Sequence, residues 1–400
     1  MNQSPARLTR AFLLSLLGAC VLAAVVPVIA EANQFGRHAR VLHAFGGGTS
    51  DGAEPVSGVA RDAQGNLYGA TRTGGAYNKG TLYKIGPDGR YRVLTAFGKH
   101  NGGGALPLDT PLILADGSLV GPASRADGQT GSVIYKLSPN GHLSMLHRFG
   151  IDDPVGYNAH GLVADGGGNL YSATQNGGPF NCGTVFRLHA DGTTDFIYAF
   201  KGGADDGCGA SGPVAFDAVG NLYGSTSGGE YNGGAIYRIA PDGTETILHM
   251  FGSNDESDDG AGPSGPVALD GAGNLYGATQ SGTHATSLEG TVYKITPDGT
   301  ETVLQRFALG AQEQPSRPVG GVIVDADGNI YGTTLTGGLG LDGVVFKISP
   351  RGRLRILHAF YAFDGVMPIS LAFGGDGSLI GTTDHGGVGR YGTLFKINLP

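Results

Sequence analysis

The chain has no tryptophan, three cysteines and four methionines in 400 residues, and only 15% of its residues are charged. Beyond its N-terminus it also lacks any apolar run long enough to span a bilayer. In their place stand 74 glycines and 20 prolines, a balance that argues against a helical protein and for an all-β one of short strands and tight turns. Basic charge is scarce too. With 26 Lys and Arg against 34 Asp and Glu the formal charge is −8, which argues against nucleic acid as a partner, since a phosphate backbone needs a clustered cationic surface.

The first residues have the parts of an export signal: Arg7 and Arg10, an apolar run from Ala11 to Ile29, and small residues at Val28-Ile29-Ala30 and Ala30-Glu31-Ala32. Residues 1–32 are read as a secretory signal cleaved near Ala30 or Ala32, 33–40 as a linker and 41–400 as one domain. A second reading takes Leu17-Gly18-Ala19-Cys20 as a lipoprotein box, although the apolar run continues past Cys20. A third, an uncleaved anchor, meets Pro27 inside the segment. The expected address is therefore exported, periplasmic or extracellular. Cleavage leaves Cys182 and Cys208, an even pair suited to a disulfide in an oxidising compartment.

What dominates the chain is repetition. Asn66-Leu67-Tyr68-Gly69-Ala70-Thr71 returns at Ser118, Asn169, Asn221, Asn274, Asn329 and Ser378. Three other signals recur with it: a Phe-ended segment (Phe45, Phe97, Phe149, Phe200, Phe251, Phe307, Phe360), a Gly-Val-Ala type run, and Gly80-Thr81-Leu82-Tyr83-Lys84-Ile85 with its echoes. Each alternates β-branched or aromatic residues with small or polar ones, as strands do. Four strands repeated seven times predict a seven-bladed β-propeller of antiparallel blades.

The connections predict its faces. Asp62-Ala63-Gln64-Gly65 and Gly86-Pro87-Asp88-Gly89 are tight turns, whereas the segments 46–55 and 72–79 are longer and variable. In an up-and-down blade the two kinds alternate, so all long loops share one face, the expected seat of function. Cys182 and Cys208 both fall on that face and can bond. If the Phe strand is outermost, Val41 to Phe45 completes the last blade and closes the ring.

These repeats resemble the GloVer (Gloeo/Verruco) tandem repeat of exported bacterial proteins: Gly-Asn-Leu-Tyr-Gly-Ala-Thr, then Gly-Thr-Leu-Tyr-Lys-Ile with Pro-Asp-Gly, then Val-Leu-His-Ala-Phe, over essentially Val41 to Asn398. More distantly they are similar to NHL propeller repeats. The resemblance implies an exported propeller and carries no reaction or catalytic residue with it. The second unit departs most, with Ser118-Leu119-Val120-Gly121-Pro122-Ala123 lacking the Tyr and gaining a proline, so that blade is expected to be irregular.

Candidate chemistry is thin. His43, His147, His249 and His358 share one repeat position and cannot converge to the ~2 Å bonds of a metal, so they read as structural. Asp325-Ala326-Asp327-Gly328 reads as an Asp-capped turn rather than a calcium loop. The acidic insertion with Asp255, Glu256, Asp258 and Asp259 is a weak cation candidate. Tyr77-Asn78, Phe180-Asn181 and Tyr231-Asn232 set an aromatic beside an amide at three loop tips and are candidate ligand contacts, against the alternative that the ring packs and the Asn serves the turn. At the channel mouth the ring Ser57, Asp109, His160, Gly212, Gly265, Gly320 and Ile369 is mostly small or apolar; Asp109 and His160 form a weak acid/base candidate, and Ser57 with them has only the letters of a triad. The expectation is a non-catalytic, monomeric binding propeller without cofactor, its partner a glycan, a peptide or an envelope component. The alternatives are a lyase- or lactonase-type propeller enzyme and a structural or adhesive module.

Overall fold

The structure, a computed structural model, describes residues 39–98, 104–203, 205–252, 259–282, 288–308 and 314–399. The expected signal segment and Asp255, Glu256 and Asp258 lie outside the described residues. The Asn-Leu-Tyr-Gly-Ala-Thr element is a strand in every unit, from Leu67–Gly74 to Ser378–His385. In the first blade it lies between Gly52–Pro55 on the inner side and Thr81–Ile85, followed by Tyr91–Ala96 at the outer edge. Seven antiparallel sheets of this pattern make a seven-bladed β-propeller, with no helix among the described residues. Closure is as expected: Ala39–Ala44 pairs with Thr393–Asn398 as the outer strand of the last blade.

Aromatic rings join blade to blade. Phe97, at the end of an outer strand, is fully buried and meets Tyr135 of the next blade edge-on at 5.1 Å between centroids. The pattern goes round the ring, including Phe360 on Phe395 at 4.9 Å and Phe45 on Tyr83 at 5.2 Å across the closure. Such offset geometry suits the ring quadrupoles and adds about 1 kcal/mol per pair to the burial itself. The repeated phenylalanine is thus the mortar of the fold.

Backbone contacts explain the glycine that opens each third strand. Gly80 has a φ of 94°, and a Cβ there would press on the Thr71 carbonyl and lie 2.6 Å from Cδ of Pro107 in the next blade. Just before that proline Leu106 takes a φ of 50°, and its N–H donates to the Lys79 carbonyl of the preceding blade at 2.7 Å. Glu54 and Met367 repeat the arrangement, donating to Tyr391 and Asp342.

The tight turns are held by their aspartates. Asp62 accepts from Asn66 N at 2.8 Å, Asn66 Nδ2 at 2.6 Å and the Tyr68 hydroxyl at 3.1 Å. Asp165, Asp217, Asp270 and Asp325 do the same. Asp325 therefore anchors a turn, as the sequence suggested. The second blade is irregular, as the sequence suggested, where its inner strand meets the Pro122 strand: the register slips between Ala105, opposite Ser124, and Pro107, opposite Ala123, although the sheet keeps its strand order. The Pro122 carbonyl faces the inner strand, where it accepts from Leu108 N, so the missing proline N–H points into a stretch where the inner strand is already interrupted between Pro107 and Leu112.

Candidate functional site

Along each inner strand the ladder breaks midway. In the fifth blade the register slips between Ser264 and Ala268, in the sixth between Val319 and Val322, in the seventh between Pro368 and Ser370. These breaks form the waist of the central channel. All seven ring positions, Ser57, Asp109, His160, Gly212, Gly265, Gly320 and Ile369, line one cavity of about 530 Å³ there. They sit halfway along the inner strands and not at their beginnings, so the site lies within the channel and not at its mouth. The reason is the bulge: it turns mid-strand residues inward, and propeller strands that ran straight would not.

The waist is asymmetric. On one side neighbouring backbones touch: a Cβ on Gly212 would stand 2.6 Å from the Gly265 carbonyl oxygen, and one on Gly320 would press on that of Ile369. On the other side stand polar groups from consecutive blades. Asp109 accepts from Thr110 N at 2.7 Å and from Gly161 N at 3.0 Å, and Ser57 Oγ pairs with Thr110 Oγ1. His160 Nε2 donates to the Ala210 carbonyl at 2.8 Å. Burial pushes the Asp109 carboxyl above the usual carboxylate range, outweighing the hydrogen bonds and the His160 charge that pull it down. Burial likewise pushes the His160 imidazole down against the opposing pull of the Ala210 carbonyl and Asp109. Burial thus works against the charged form of each. The two side chains do not bond to each other, and Ser57 is bonded to Thr110 and not to His160, so no triad is assembled.

The four repeat histidines are spread among blade junctions, each bonded to a loop aspartate: His43 to Asp51 at 3.2 Å, His147 to Asp153 at 2.9 Å, His249 to Asp259 at 3.0 Å and His358 to Asp364 at 3.1 Å. Asp259, the described member of the acidic insertion, is thus buried and paired within the fold. Among the described residues no three His, Cys, Asp or Glu side chains gather as a metal-binding group. Sequence reasoning missed a second acidic feature. Glu245 approaches Asp206 at a blade junction; burial first, and then the Asp206 charge, push its carboxyl up to about 7. Aligning the units would have shown it, because Tyr91, Leu143 and Leu354 hold the same register as Glu245 and Glu301.

The long-loop face carries the apolar exposure. Of the fourteen large hydrophobic residues that are exposed among the described residues, eight lie in long loops: Tyr77, Phe180, Leu339, Leu341, Val388 and Tyr391 between second and third strands, Ile151 and Phe363 between blades. Val388 is 91% exposed and Phe363 70%. Tyr77 and Phe180 are about half exposed, whereas Tyr231 is partly buried and already engaged with its surroundings. Asn78, Asn181 and Asn232 all have positive φ, as do Leu341 and Arg390 in their places in other blades, and Asn78 Oδ1 accepts from Gly74 N. The asparagines serve the turn. Cys182 and Cys208 form a disulfide on this face, tying a loop of the third blade to the inner strand of the fourth.

Ring, closure and channel define a seven-bladed propeller with a narrow, largely uncharged waist. The particular family follows: the chain belongs to the Gloeobacter/Verrucomicrobia repeat family, whose model matches residues 27–166, 107–316 and 283–400. No curated protein matches the sequence. Among solved structures the fold is similar to virginiamycin B lyase from Staphylococcus aureus, with 13% identity, a TM-score of 0.56 and coverage of 87% of this chain and 96% of that one. It is also similar to the extracellular domains of the hybrid two-component systems BT3049 and BT4673 from B. thetaiotaomicron, at 14% and 15% identity with TM-scores of 0.54 and 0.55. Those matches cover 86% of this chain and 39% and 40% of theirs, so the chain spans about two fifths of each. At such identities the likeness is one of fold.

Proposed function

We propose that this is an exported, non-catalytic propeller that holds a polypeptide of the cell envelope or its surroundings against the long-loop face. One observation carries the reading: exposed aromatic and aliphatic side chains collect on the face where the loops vary, above a scaffold that repeats. Aliphatic members such as Ile151, Leu339 and Val388 favour apolar peptide side chains over sugar rings, which stack on aromatics flanked by free amides or acids. The disulfide between Cys182 and Cys208 agrees with an oxidising compartment. A glycan partner, or a structural or adhesive role with no small ligand, is a competing reading.

The test is a triple substitution, Tyr77→Ser, Phe180→Ser and Phe363→Ser, in the purified chain, read on a peptide array and on a glycan array. Binding to apolar peptides that drops at least about tenfold in the variant is the expected result. Glycan retention in place of peptide retention, or peptide binding that the substitutions leave unchanged, would overturn the polypeptide reading.

A further inference from the structure

The channel waist holds buried polar groups that a loop-face partner would never touch. We propose that it is a second site, one for a small uncharged molecule with an apolar body and a single O–H or N–H donor directed at His160 Nδ1.

Among the described residues, two side-chain acceptors lining the waist are left without a hydrogen bond, His160 Nδ1 and Ser370 Oγ, and of these only the nitrogen has no proton of its own to offer. Ser57 Oγ is taken by Thr110, and Ser211 Oγ by Ser225 Oγ at 2.8 Å and the Pro263 carbonyl at 3.0 Å. Both Asp109 oxygens accept backbone N–H groups. The partner of His160 Nε2 is a carbonyl, which only accepts, so Nε2 carries the ring proton. Burial opposes a second proton on the ring, and Nδ1 therefore keeps its lone pair.

The rest of the wall sets the body and charge of the occupant. Pro213, Pro266, Val319, Leu335 and Ile369 present apolar surface opposite the polar arc. Among the described residues that line the cavity there is no Lys or Arg to meet an anion with a counter-charge. A cation would have to draw on Asp109, whose two oxygens are already engaged by the Thr110 and Gly161 N–H groups. The cavity of about 530 Å³ falls within the roughly 300–1,000 Å³ typical of small-molecule sites.

Four probes of one shape separate the claims: benzyl alcohol, toluene, benzylamine and benzoate, titrated into the full chain by calorimetry while the His160 imidazole resonances are followed by NMR. Benzyl alcohol should bind about tenfold more tightly than the other three and shift the His160 signals. Ala60→Phe, which fills the channel without removing a hydrogen bond, should abolish that binding, and His160→Phe should bring benzyl alcohol down to the level of toluene. If His160→Phe does not fold, Ala60→Phe and the imidazole shift decide the matter. Equal affinity for toluene, a preference for either charged probe, binding that survives Ala60→Phe, or no binding of benzyl alcohol at all would each overturn the proposal.

Discussion

At the scale of single residues the turn aspartates and the repeat histidines have fixed partners, whereas the buried hydroxyls of Tyr83, Tyr135 and Tyr237 have none, and such exceptions draw the eye. The aspartates of the tight turns are of the first kind. Burial alone would raise Asp62, but the hydrogen bonds from Asn66, Tyr68 and the Gln64 backbone outweigh it and leave the carboxyl below its usual value. Glu245 is of the second kind, with Oε1 unpaired and its carboxyl raised to about 7. Its folded value is above the unfolded one, so the folded chain holds a proton that the unfolded chain has lost. The stability so gained is complete below about pH 4.5 and is lost as the pH rises through about 7. Glu245→Gln should therefore raise the melting temperature at pH 8 and leave it unchanged at pH 4.5. Because the group is half exposed, screening holds the gain to about 1 kcal/mol or less. Thermal melts at the two pH values check this; an equal shift at both would contradict it. The sequence showed the repeated Asp and His positions plainly, since repetition marks a structural duty. Glu245 stands out only when the units are aligned, and its raised value comes first from burial and then from Asp206, thirty-nine positions earlier in the chain and brought close by blade packing.

At the scale of elements the strands were legible because alternation and turn chemistry are local. The joints between blades were not, because they depend on which glycine meets which proline. Gly80 and Gly89 both have positive φ, 94° and 78°, but a Cβ on Gly89 meets nothing within 4 Å, whereas one on Gly80 collides with Pro107. Gly89→Ala should cost about 1 kcal/mol, the ordinary price of a left-handed residue. Gly80→Ala should cost about 3 kcal/mol, since a neighbouring blade must also move. Denaturant melts of the two variants isolate the close approach; equal losses would mean that the joint is loose. The second blade makes the same point from the other side. Pro122 reads as a strand breaker in sequence and the register does slip beside it, yet the strand order survives because its missing N–H faces the break in the inner strand, and only the pairing of strands reveals that break.

At the scale of the whole molecule the ring is closed by Ala39–Ala44, far in sequence from the Thr393–Asn398 strand that it covers. Without it the last blade has three strands and an open edge, and Tyr83 of the first blade loses its Phe45 partner. A chain lacking residues 1–45 should therefore elute from gel filtration as oligomers or aggregates, and a synthetic peptide of residues 39–45 should restore the smaller species. A truncated chain that stayed monomeric with an unchanged melting temperature would show that the latch contributes little.

The sequence by itself determined the blade count, the strand order, the closure and the face on which the long loops and the two cysteines meet. All of these follow from a repeat whose hydrophobic alternation and turns are written within some fifty residues. Only the tertiary structure decided what the centre of the ring is like. The waist is made by bulges that seven separate inner strands bring together, so the buried Asp109 and His160 with their shifted acidities, the backbone-to-backbone wall of Gly212, Gly265 and Gly320, and the bare Nδ1 exist only once desolvation and close packing act across blades.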